Sequence, residues 1–554
     1  MCFSVTYGEQ STDAGSWGRR LHVVAYGLLL FFPRAALYAM NDRRKQLSPS
    51  KQYVMHWVAE HGLPLTFVAA YLALLAFHGW LGKRRTQSLD DYLIGGRGLG
   101  GTIIALSFYA TFVSSVTFVG HSGRTFTRGP AWWLICVVVF TAMVLVAWFV
   151  VAPPFVRRAR RWGVLTIPEF LGVRYGSLGV RRLAGLVVVA ASLAYMLAVY
   201  EGATRVLESL LGLEPLVVTA VIFLVVTAYT LFGGFHSVVA TDAVQGVILF
   251  AGGMLLPITM IARKGGLMPL LDAVRDADPA ALNWTGRMPL VTMIGLALGV
   301  GMKFIVDPRQ LSRFYGLSSD EQLRRGRWIA PALLFMTYLG MLPVGLFAHA
   351  FVGSADRFTD ASGHVDSDLV IPWLLGPEAN LLGPVAGAFF LTALLAAAMS
   401  SLDSVLLVAA SSVDHDVISP HRDSLSAMRL TRFWVLLLSA SAAGLSIFID
   451  EGIVEMSSFS GSMYAACFLP TLVIGLFWKR GTAAAATAAL IVGLSATLLW
   501  FCLKTTLFNG AYWSWHEVYV GSAVSIGTYV IVSFCTRPTC GSPLLTTPVV
   551  SDDG

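Results

Sequence analysis

The chain has 554 residues, of which 56% are hydrophobic and only 13% are charged. This composition excludes a soluble domain and is typical of a polytopic membrane protein whose helices pack in lipid. The net charge of +7 does not indicate nucleic-acid binding, because the arginines lie between apolar runs instead of on a soluble basic face.

Residues 1–62 are predicted to be a peripheral extension. The apolar run 22–33 is too short to span a bilayer comfortably, is broken at Pro33, and lacks a small-residue cleavage site soon after it. One interpretation is an interfacial helix. Another is that translation starts at Met40 or Met55, since the basic residues before Met55 would otherwise violate the charge rule for membrane topology.

Thirteen apolar runs of about 20 residues predict an all-α bundle of about thirteen transmembrane helices. They lie at 63–82, 101–121, 130–152, 183–204, 215–234, 237–262, 289–306, 328–352, 380–411, 431–449, 454–477, 483–503 and 517–535.

The tail 536–554 is short, polar and rich in proline, which is typical of a disordered segment.

Charged loops predict the orientation in the plasma membrane. Basic residues cluster after the first, third and seventh spans, which places those loops in the cytoplasm. They are Lys83, Arg84, Arg85, Arg157, Arg158, Arg160, Arg161, Arg181, Arg182, Arg309, Arg313, Arg324, Arg325 and Arg327. The acidic loop 353–379 lies on the other side, so the first span starts outside and the C-terminus is cytoplasmic.

Two sets of five spans suggest an internal repeat. Because five is odd, the second set enters the membrane in the opposite direction. The predicted units are an accessory helix at 63–82, repeats at 101–263 and 289–477, and two accessory helices within 483–535. The first span of each repeat is rich in hydroxyls or glycine, which indicates broken helices and a transport site at the membrane midplane. Small residues serving helix packing are the alternative explanation.

The sequence AAAMSSLDS, residues 396–404, places two hydroxyls and a carboxylate inside an apolar span. A carboxylate at membrane depth costs about 3 kcal/mol on insertion scales and usually faces a pathway, partner or ion. Asp403 therefore indicates a functional site. Taken alone, Ser400 and Ser401 favour a structural role, because membrane serines commonly bond back to their own helix or ease close helix packing.

Five ordered strings resemble the sodium/solute symporter family, which includes sodium/glucose and sodium/proline cotransporters. They are DYLIGGRGLGG from Asp91, ALSFYATFVSSVTFVGHSG from Ala105, YTLFGGFHSVVATDAVQG from Tyr229, DPRQLSRFYG from Asp307, and AAAMSSLDS. The resemblance covers roughly 90–535. It implies a LeuT-type inverted repeat of five plus five helices and secondary active transport driven by a sodium gradient.

The resemblance also implies a sodium site. Carried over by position, its ligands are the backbone carbonyls of Ala110 and Val113, with Ala397, Ser400 and Ser401. A hard cation prefers several oxygens, and the Ala-x-x-Ser-Ser spacing places a carbonyl and hydroxyls one turn apart. Neutral oxygens hold sodium weakly, which suits an ion that is released on every cycle.

Three carboxylates are candidates for ion binding or coupling. Asp242 matches a family Thr-Asp that in some members assists sodium binding or release, and helix capping is its alternative role. Asp403 lies about 200° around the helix from Ser401, so we expect it to bridge helices instead of binding the same ion. Glu201 is spaced to pair with Arg205, with a coupling role left open.

The substrate cavity is predicted to include Phe112, Lys303 and Phe304. Several relatives have a polar or charged residue where this chain has Phe112, so sugar or proline specificity does not simply transfer. Monocarboxylates, vitamins, other amino acids and small anions stay open. Lys303 would attract a carboxylate if it faced the cavity, but snorkelling toward the cytoplasm is the favoured interpretation of this residue.

The sequence therefore predicts sodium-coupled symport of a small organic solute by alternating access, with Na+ as coupling ion and no organic cofactor. No span or loop offers a nucleophile with its base, so an enzyme is not expected, and neither is a nucleic-acid partner. The six cysteines show no metal-binding spacing. Proton coupling through Asp242, Asp403 or Glu201 is a second possible mechanism, and a membrane nutrient sensor or channel is a second possible class.

Overall fold

The computed structural model describes residues 57, 61–85, 95–284, 288–353, 355–359, 363, 365–418, 424–448, 452–506 and 515–537. Interpretations of 1–56 and of the tail after 537 lie outside these ranges. The described chain is nearly all helical, and its extended pairing is limited to two isolated bridges, Leu99 with Leu317 and Thr359 with Val365.

The α-helices are numbered in chain order. The first half contains α1 Gly62–Arg85, α2 Gly101–Phe112, α3 Ser122–Val146, α4 Ala152–Trp162, α5 Ile167–Tyr175, α6 Leu178–Leu211, α7 Pro215–Arg263 and α8 Leu267–Ala277. The second half contains α9 Leu290–Gly301, α10 Lys303–Val306, α11 Pro308–Tyr315, α12 Asp320–Gly326, α13 Ile329–Met341, α14 Val344–Val352, α15 Val370–Leu375, α16 Gly383–Ser411, α17 Ser424–Ser446, α18 Ile453–Phe468, α19 Gly475–Phe477, α20 Ala483–Thr506 and α21 Glu517–Cys535. Four π-helical segments connect some of them, at Val116–His121, Ala147–Val151, Ser412–Ile418 and Leu469–Ile474.

The described helices make this a multi-pass membrane protein. Ten of them are long and apolar enough to cross a membrane, and the apolar segments Gly101–Phe112 and Pro215–Leu231 are shorter. A helix occupies every one of the predicted runs, including α17 over most of 431–449. The all-α prediction is confirmed.

The first broken helix is interrupted where the sequence predicts it. Helix α2 ends at Phe112, Val113 is extended (φ −74°, ψ 106°), and the chain resumes as the π-helix Val116–His121. The hydroxyl of Ser114 accepts a hydrogen bond from the Val116 N–H at 3.2 Å. Serine favours such local bonds over helix continuation, so the Ser114 side chain stabilises the restart.

The second broken helix is interrupted after its glycines. Helix α9 ends at Gly301, one turn of α10 follows Met302, and Asp307 then starts α11 by accepting from the Arg309 N–H at 2.8 Å. A Cβ on Gly299 would lie 2.1 Å from Ser458 Oγ on α18. The glycine therefore permits close helix packing, so the packing explanation holds for this position.

Helix α7 differs from the prediction. The runs 215–234 and 237–262 are predicted to be separate spans, but one helical segment of 49 residues carries both. A straight helix of that length measures about 74 Å, more than twice the hydrocarbon thickness, so its two apolar stretches cannot share one straight path through the membrane. Asp242 lies in the interior of α7, so the interpretation of Asp242 as a helix cap is wrong.

The helices of the two repeats pack in matching ways. In the first repeat, α2 contacts α7; in the second, the equivalent helix α9 contacts α18, the last of its set. Helix α6 contacts both α16 and α18, and α16 packs along α7 and α2. The first broken helix therefore lies against α16, where the serine pair is located.

Two arginines that the charge pattern assigns to a cytoplasmic loop are buried instead. Arg309 and Arg313 are each 1% exposed, because the short helix α11 folds back into the bundle between α2, α4 and α16. Buried guanidinium groups need partners, so these two residues belong to the candidate site and not to the topology signal.

The close contact between α9 and α18 yields a stability prediction. A Cβ on Gly461 would lie 1.8 Å from the carbonyl oxygen of Gly299. We expect Gly461→Ala to lower the free energy of unfolding by about 1–3 kcal/mol through overpacking, measured in detergent micelles.

The matched control is Gly444→Ala on α17, where an added Cβ meets no atom within 4 Å. It should be neutral or raise stability by at most about 1 kcal/mol, because alanine favours helix. Equal effects of the two substitutions would contradict the packing argument.

Candidate ion and substrate site

The end of α2 leaves backbone carbonyls without partners inside the helix. Val113 N–H donates to the Tyr109 carbonyl at 3.0 Å, but the next carbonyls have no helical donor because the chain turns away. Side chains of α16 satisfy two of them: Ser400 Oγ donates to the Ala110 carbonyl at 2.7 Å, and Ser401 Oγ donates to the Thr111 carbonyl at 3.2 Å. The serine pair therefore faces the break in α2.

The five residues predicted to bind sodium are all fully buried. Ala110, Ser400 and Ser401 meet through the hydrogen bonds just described. Val113 forms the break itself, and Ala397 lies one turn before Ser401 on α16. Thr111, which sequence reasoning missed, supplies the carbonyl that Ser401 contacts.

Asp242 lies immediately beside this site. Its Oδ2 accepts hydrogen bonds from Ser107 Oγ at 2.8 Å and Thr111 Oγ1 at 3.2 Å. The same oxygen is 2.9 Å from Nη2 of Arg313. Because Thr111 contacts Asp242 through its side chain and Ser401 through its carbonyl, one residue of α2 connects the carboxylate to the serine pair.

Asp403 belongs to the same buried cluster. Its Oδ1 lies 3.1 Å from Ser404 Oγ, and Ser404 also hydrogen bonds with Arg313. Asp403 lies within electrostatic range of both Asp242 and Arg313. Asp242 Oδ1 and Asp403 Oδ2 have no hydrogen-bond partner among the described residues. Arg313 therefore pairs with Asp242 directly and reaches Asp403 only through Ser404.

Glu201 lies elsewhere. It pairs with Arg205 at 2.5 Å, as the i,i+4 spacing predicts. Arg205 also contacts Asp366 at 2.6 Å, so it ties α6 to the segment that precedes α15. The pairing with Arg205 thus gives Glu201 a structural role on α6, away from the serine pair.

A cavity of about 220 Å³ lies between the two broken helices, α6 and α18. Its lining residues are Phe112, Ser114, Val116, Thr117, His121, Tyr195, Val300, Lys303, Arg309 and Ser457. Phe112 and Lys303 line the cavity, in the place that the sequence predicts. Phe304 is not among the lining residues and stacks behind Phe112, with ring centroids 3.7 Å apart.

Two cations meet at this cavity over one aromatic ring. Lys303 Nζ lies 4.1 Å from the ring centroid of Tyr195, and the Arg309 guanidinium carbon lies 4.2 Å from it. Lys303 is 1% exposed and donates to Ser457 Oγ at 3.0 Å. Its side chain therefore does not snorkel. Asp307 forms an ion pair with Arg309, at 3.2 Å.

A second cavity starts at the buried cluster. It has a volume of about 410 Å³, and its lining includes Arg313, Thr166, Ser312, Ser411 and Ser412. These residues belong to α11, to the end of α16 and to the start of α5, at the end of the bundle that carries Arg160 and Arg161. Arg313 therefore lies between the serine pair and this arginine-rich end.

His415 has a structural role. Its Nε2 lies 3.3 Å from Oε2 of Glu169 on α5. Burial would raise the pKa of Glu169, but the hydrogen bond and charge of His415, with Arg181, hold it below its ordinary value. Within the described residues, no group of three or more His, Cys, Asp or Glu side chains is placed to hold a metal ion.

Sequence reasoning missed Arg309, Arg313, Tyr195 and His121 as site residues. A signal existed for the two arginines, because DPRQLSRFYG spaces them one helical turn apart among apolar residues. Their burial required knowing that α11 returns to the bundle. Tyr195 and His121 carry no local signal, since aromatic residues are common throughout the spans.

Comparisons with known proteins agree with this architecture. A family profile described as "Sodium:solute symporter family" matches residues 92–493. The high-affinity proline transporter PutP of Bacillus subtilis is 30% identical over 83% of this chain and 95% of its own length. The osmoregulated proline transporter OpuE of the same organism is 29% identical over 84% of this chain and 94% of its own.

A solved structure has the same fold. It is a Na+-coupled sialic acid symporter in a substrate-bound outward-open state, with a TM-score of 0.71 at 19% identity. The match covers 86% of this chain and 98% of that protein. At this identity the likeness concerns the fold alone.

The buried pair of Arg313 and Asp242 yields a prediction. We expect Arg313→Gln to lower the free energy of unfolding by about 3–5 kcal/mol, because it leaves the buried Asp242 carboxylate without its counter-charge. Adding Asp242→Asn to the same protein should recover part of that loss. The measurement is a double-mutant cycle on unfolding in mixed micelles.

Arg325→Gln is the matched control, since Arg325 pairs with Glu321 at 2.5 Å with both side chains more than half exposed. That change should cost less than about 1 kcal/mol. Equal losses of unfolding free energy for Arg313→Gln and Arg325→Gln would show that the buried pair contributes no more to stability than the exposed pair.

Proposed function

The chain belongs to the sodium:solute symporter family, and on that premise we propose that sodium binds where α16 meets the break in α2. The proposed ligands are the carbonyls of Ala110, Val113 and Ala397 with the hydroxyls of Ser400 and Ser401. The protein is a sodium-coupled solute symporter of the membrane, with Na+ as coupling ion. The ligand residues and the order of events are our proposal.

The observation that supports this site is the pairing of orphan carbonyls with hydroxyls. Ser400 Oγ and the Ala110 carbonyl are 2.7 Å apart, with both residues fully buried. A serine oxygen has two lone pairs, so it can contact a cation once its proton points elsewhere. Uncharged oxygens gathered in a dry site suit a monovalent ion that must also leave.

Sodium at this place couples ion binding to helix position. Bound ion joins α2 to α16 more strongly than two neutral hydrogen bonds do. The conformation in which these helices touch is therefore favoured when sodium is present. Only such a difference in affinity between conformations allows the sodium gradient to drive the solute.

Asp242 and Arg313 provide a release route in this proposal. Asp242 contacts Thr111, whose carbonyl faces Ser401, and Arg313 opens onto the cavity at the arginine-rich end. An ion leaving Ser401 meets the Asp242 carboxylate next. We assign Asp242 to attract and pass the ion, and the arginine-rich end to the cytoplasm, because basic loops are retained there.

Proton coupling is the second candidate function, and the buried carboxylate cluster is the observation that favours it. Asp242 and Asp403 both lie near Arg313, and each has an oxygen without a partner among the described residues. Such a cluster can take up a proton. Proton coupling requires sodium to leave stability and uptake unchanged, which separates it from the first proposal.

Sodium binding is tested without knowing the solute. In purified full-length protein, the melting temperature should be higher in sodium than in potassium at equal ionic strength, because an ion bound only by the folded state stabilises it. The stabilisation is about 2.7 kcal/mol at 100 times Kd. Ser401→Ala should remove most of the sodium-specific difference.

Ser411→Ala is the matched control, because Ser411 lies on the same helix and donates to the carbonyl of its own Val408, at 2.9 Å. It should keep the sodium effect. Equal melting temperatures of the wild type in the two salts would refute sodium binding, and a shift that follows pH instead would support proton coupling.

A further inference from the structure

Two basic side chains line the cavity between the broken helices and indicate a class of ligand. We infer that the transported solute is a small organic monocarboxylate without an amino group, bound through its carboxylate by Lys303 and Arg309. This inference rests on the proposed symport function and adds the substrate class to it.

The first step is the charge balance at the cavity. Lys303 has no carboxylate within 4 Å in the part of the chain that the structure describes, and its neutral partner is Ser457. Arg309 has one carboxylate partner, Asp307, at 3.2 Å. Its Nε and Nη1 are buried without a hydrogen-bond partner among the described residues. Two basic side chains thus face one carboxylate.

The second step is the position of the two cations. Both lie against the ring of Tyr195, at 4.1 and 4.2 Å, so they repel each other across a short distance. A bound anion offsets this repulsion and satisfies the free guanidinium nitrogens. Arginine and lysine together suit a carboxylate, because the guanidinium binds its oxygens in a fixed geometry and the ammonium adds a point charge.

The third step excludes a zwitterion. None of the cavity's lining residues is acidic, and Asp307 is occupied by Arg309. The face of Tyr195, which would attract an ammonium group, is already used by the two cations. An amino acid would therefore bury its ammonium group beside like charges and without a partner, which is strongly unfavourable.

The other residues that line the cavity indicate which groups the solute has besides its carboxylate. Phe112, Val116 and Val300 form apolar walls, which suit a short aliphatic chain. His121 is 1% exposed, and neither ring nitrogen has a hydrogen-bond partner among the described residues. A hydroxyl or keto oxygen near the carboxylate would satisfy it.

The cavity is also placed for coupling. Phe112 lies between Thr111 and Val113 in the chain, so a solute that presses on its ring acts on the backbone proposed to bind sodium. Lys303 starts α10, the turn that precedes the extended residue Asp307 of the second broken helix. A carboxylate bound by Lys303 and packed on Phe112 therefore joins the two broken helices.

The test uses full-length protein in constant sodium chloride. The probes are L-lactate and propionate, their neutral amides lactamide and propionamide, the zwitterions L-alanine and L-proline, and nitrate as an inorganic anion. We expect the carboxylates alone to raise the melting temperature and to be taken up by proteoliposomes under a sodium gradient. The amide pairs keep size and shape while removing the charge.

Variants at the cavity locate the binding. Lys303→Gln should weaken carboxylate binding by roughly 30-fold or more, since it removes one partner of a buried charge pair. Lys303→Arg, which keeps the charge, should bind more tightly than Lys303→Gln. Lys264→Gln is the matched control, because Lys264 contacts Phe351 outside the cavity. Every variant is also tested for its sodium-dependent rise in melting temperature, which reports a folded protein.

The outcomes separate the two proposals. A sodium-dependent rise together with binding of L-proline, of an amide or of nitrate, or with no binding by any probe, overturns the monocarboxylate inference and leaves sodium symport standing. Carboxylate binding that is unchanged in Lys303→Gln also overturns it. Absence of any sodium effect in the wild type would instead refute the proposed sodium function.

Discussion

The structure depends on one constraint, which is that backbone carbonyls inside a membrane need partners. A helix that stops at Phe112 exposes its last carbonyls where no water is available. The hydroxyls of Ser400 and Ser401 meet two of them, and this places α16 against the break. The oxygens that satisfy the broken backbone are also those that we propose as sodium ligands. In that proposal, ion affinity and the stability of the broken helix are properties of the same contacts.

Buried charge is organised around the two breaks in different ways. On the α16 side, Arg313 pairs with Asp242, and a second carboxyl group, that of Asp403, lies beside them. In the cavity at the second break, Arg309 pairs with Asp307, whereas Lys303 has the neutral partner Ser457. Charges in a low-dielectric interior are costly unless they are paired. Our proposals therefore assign a mobile partner to each cluster, a cation to the first and an organic anion to the second.

Close packing explains what motif analysis alone leaves ambiguous. Glycines in a membrane helix indicate either a weak point or a close contact, and the sequence pattern is the same for both. At Gly299 and Gly461 the structure has the contact, since the helices α9 and α18 approach too closely for side chains. Met302 keeps helical dihedral angles (φ −59°, ψ −24°), and the chain becomes extended at Asp307 (φ −73°, ψ 120°). The glycines therefore serve packing, and the helix is interrupted further along the chain.

The sequence by itself determined the all-helical membrane fold, a first span of the repeat that is rich enough in hydroxyls to be broken, and the pair of serines inside an apolar span. Those features are local, because hydropathy, hydroxyl content and helical spacing act within one segment. The sequence also predicted Phe112 and Lys303 at the cavity. Tertiary structure decided that the serine pair faces the break. The burial of Arg309 and Arg313, the joining of Asp242 and Asp403, and the contact of two cations with Tyr195 were decided only by tertiary structure. These contacts join residues from distant segments, and a charge near the end of a span has the same sequence signature whether its helix leaves the membrane or folds back into it.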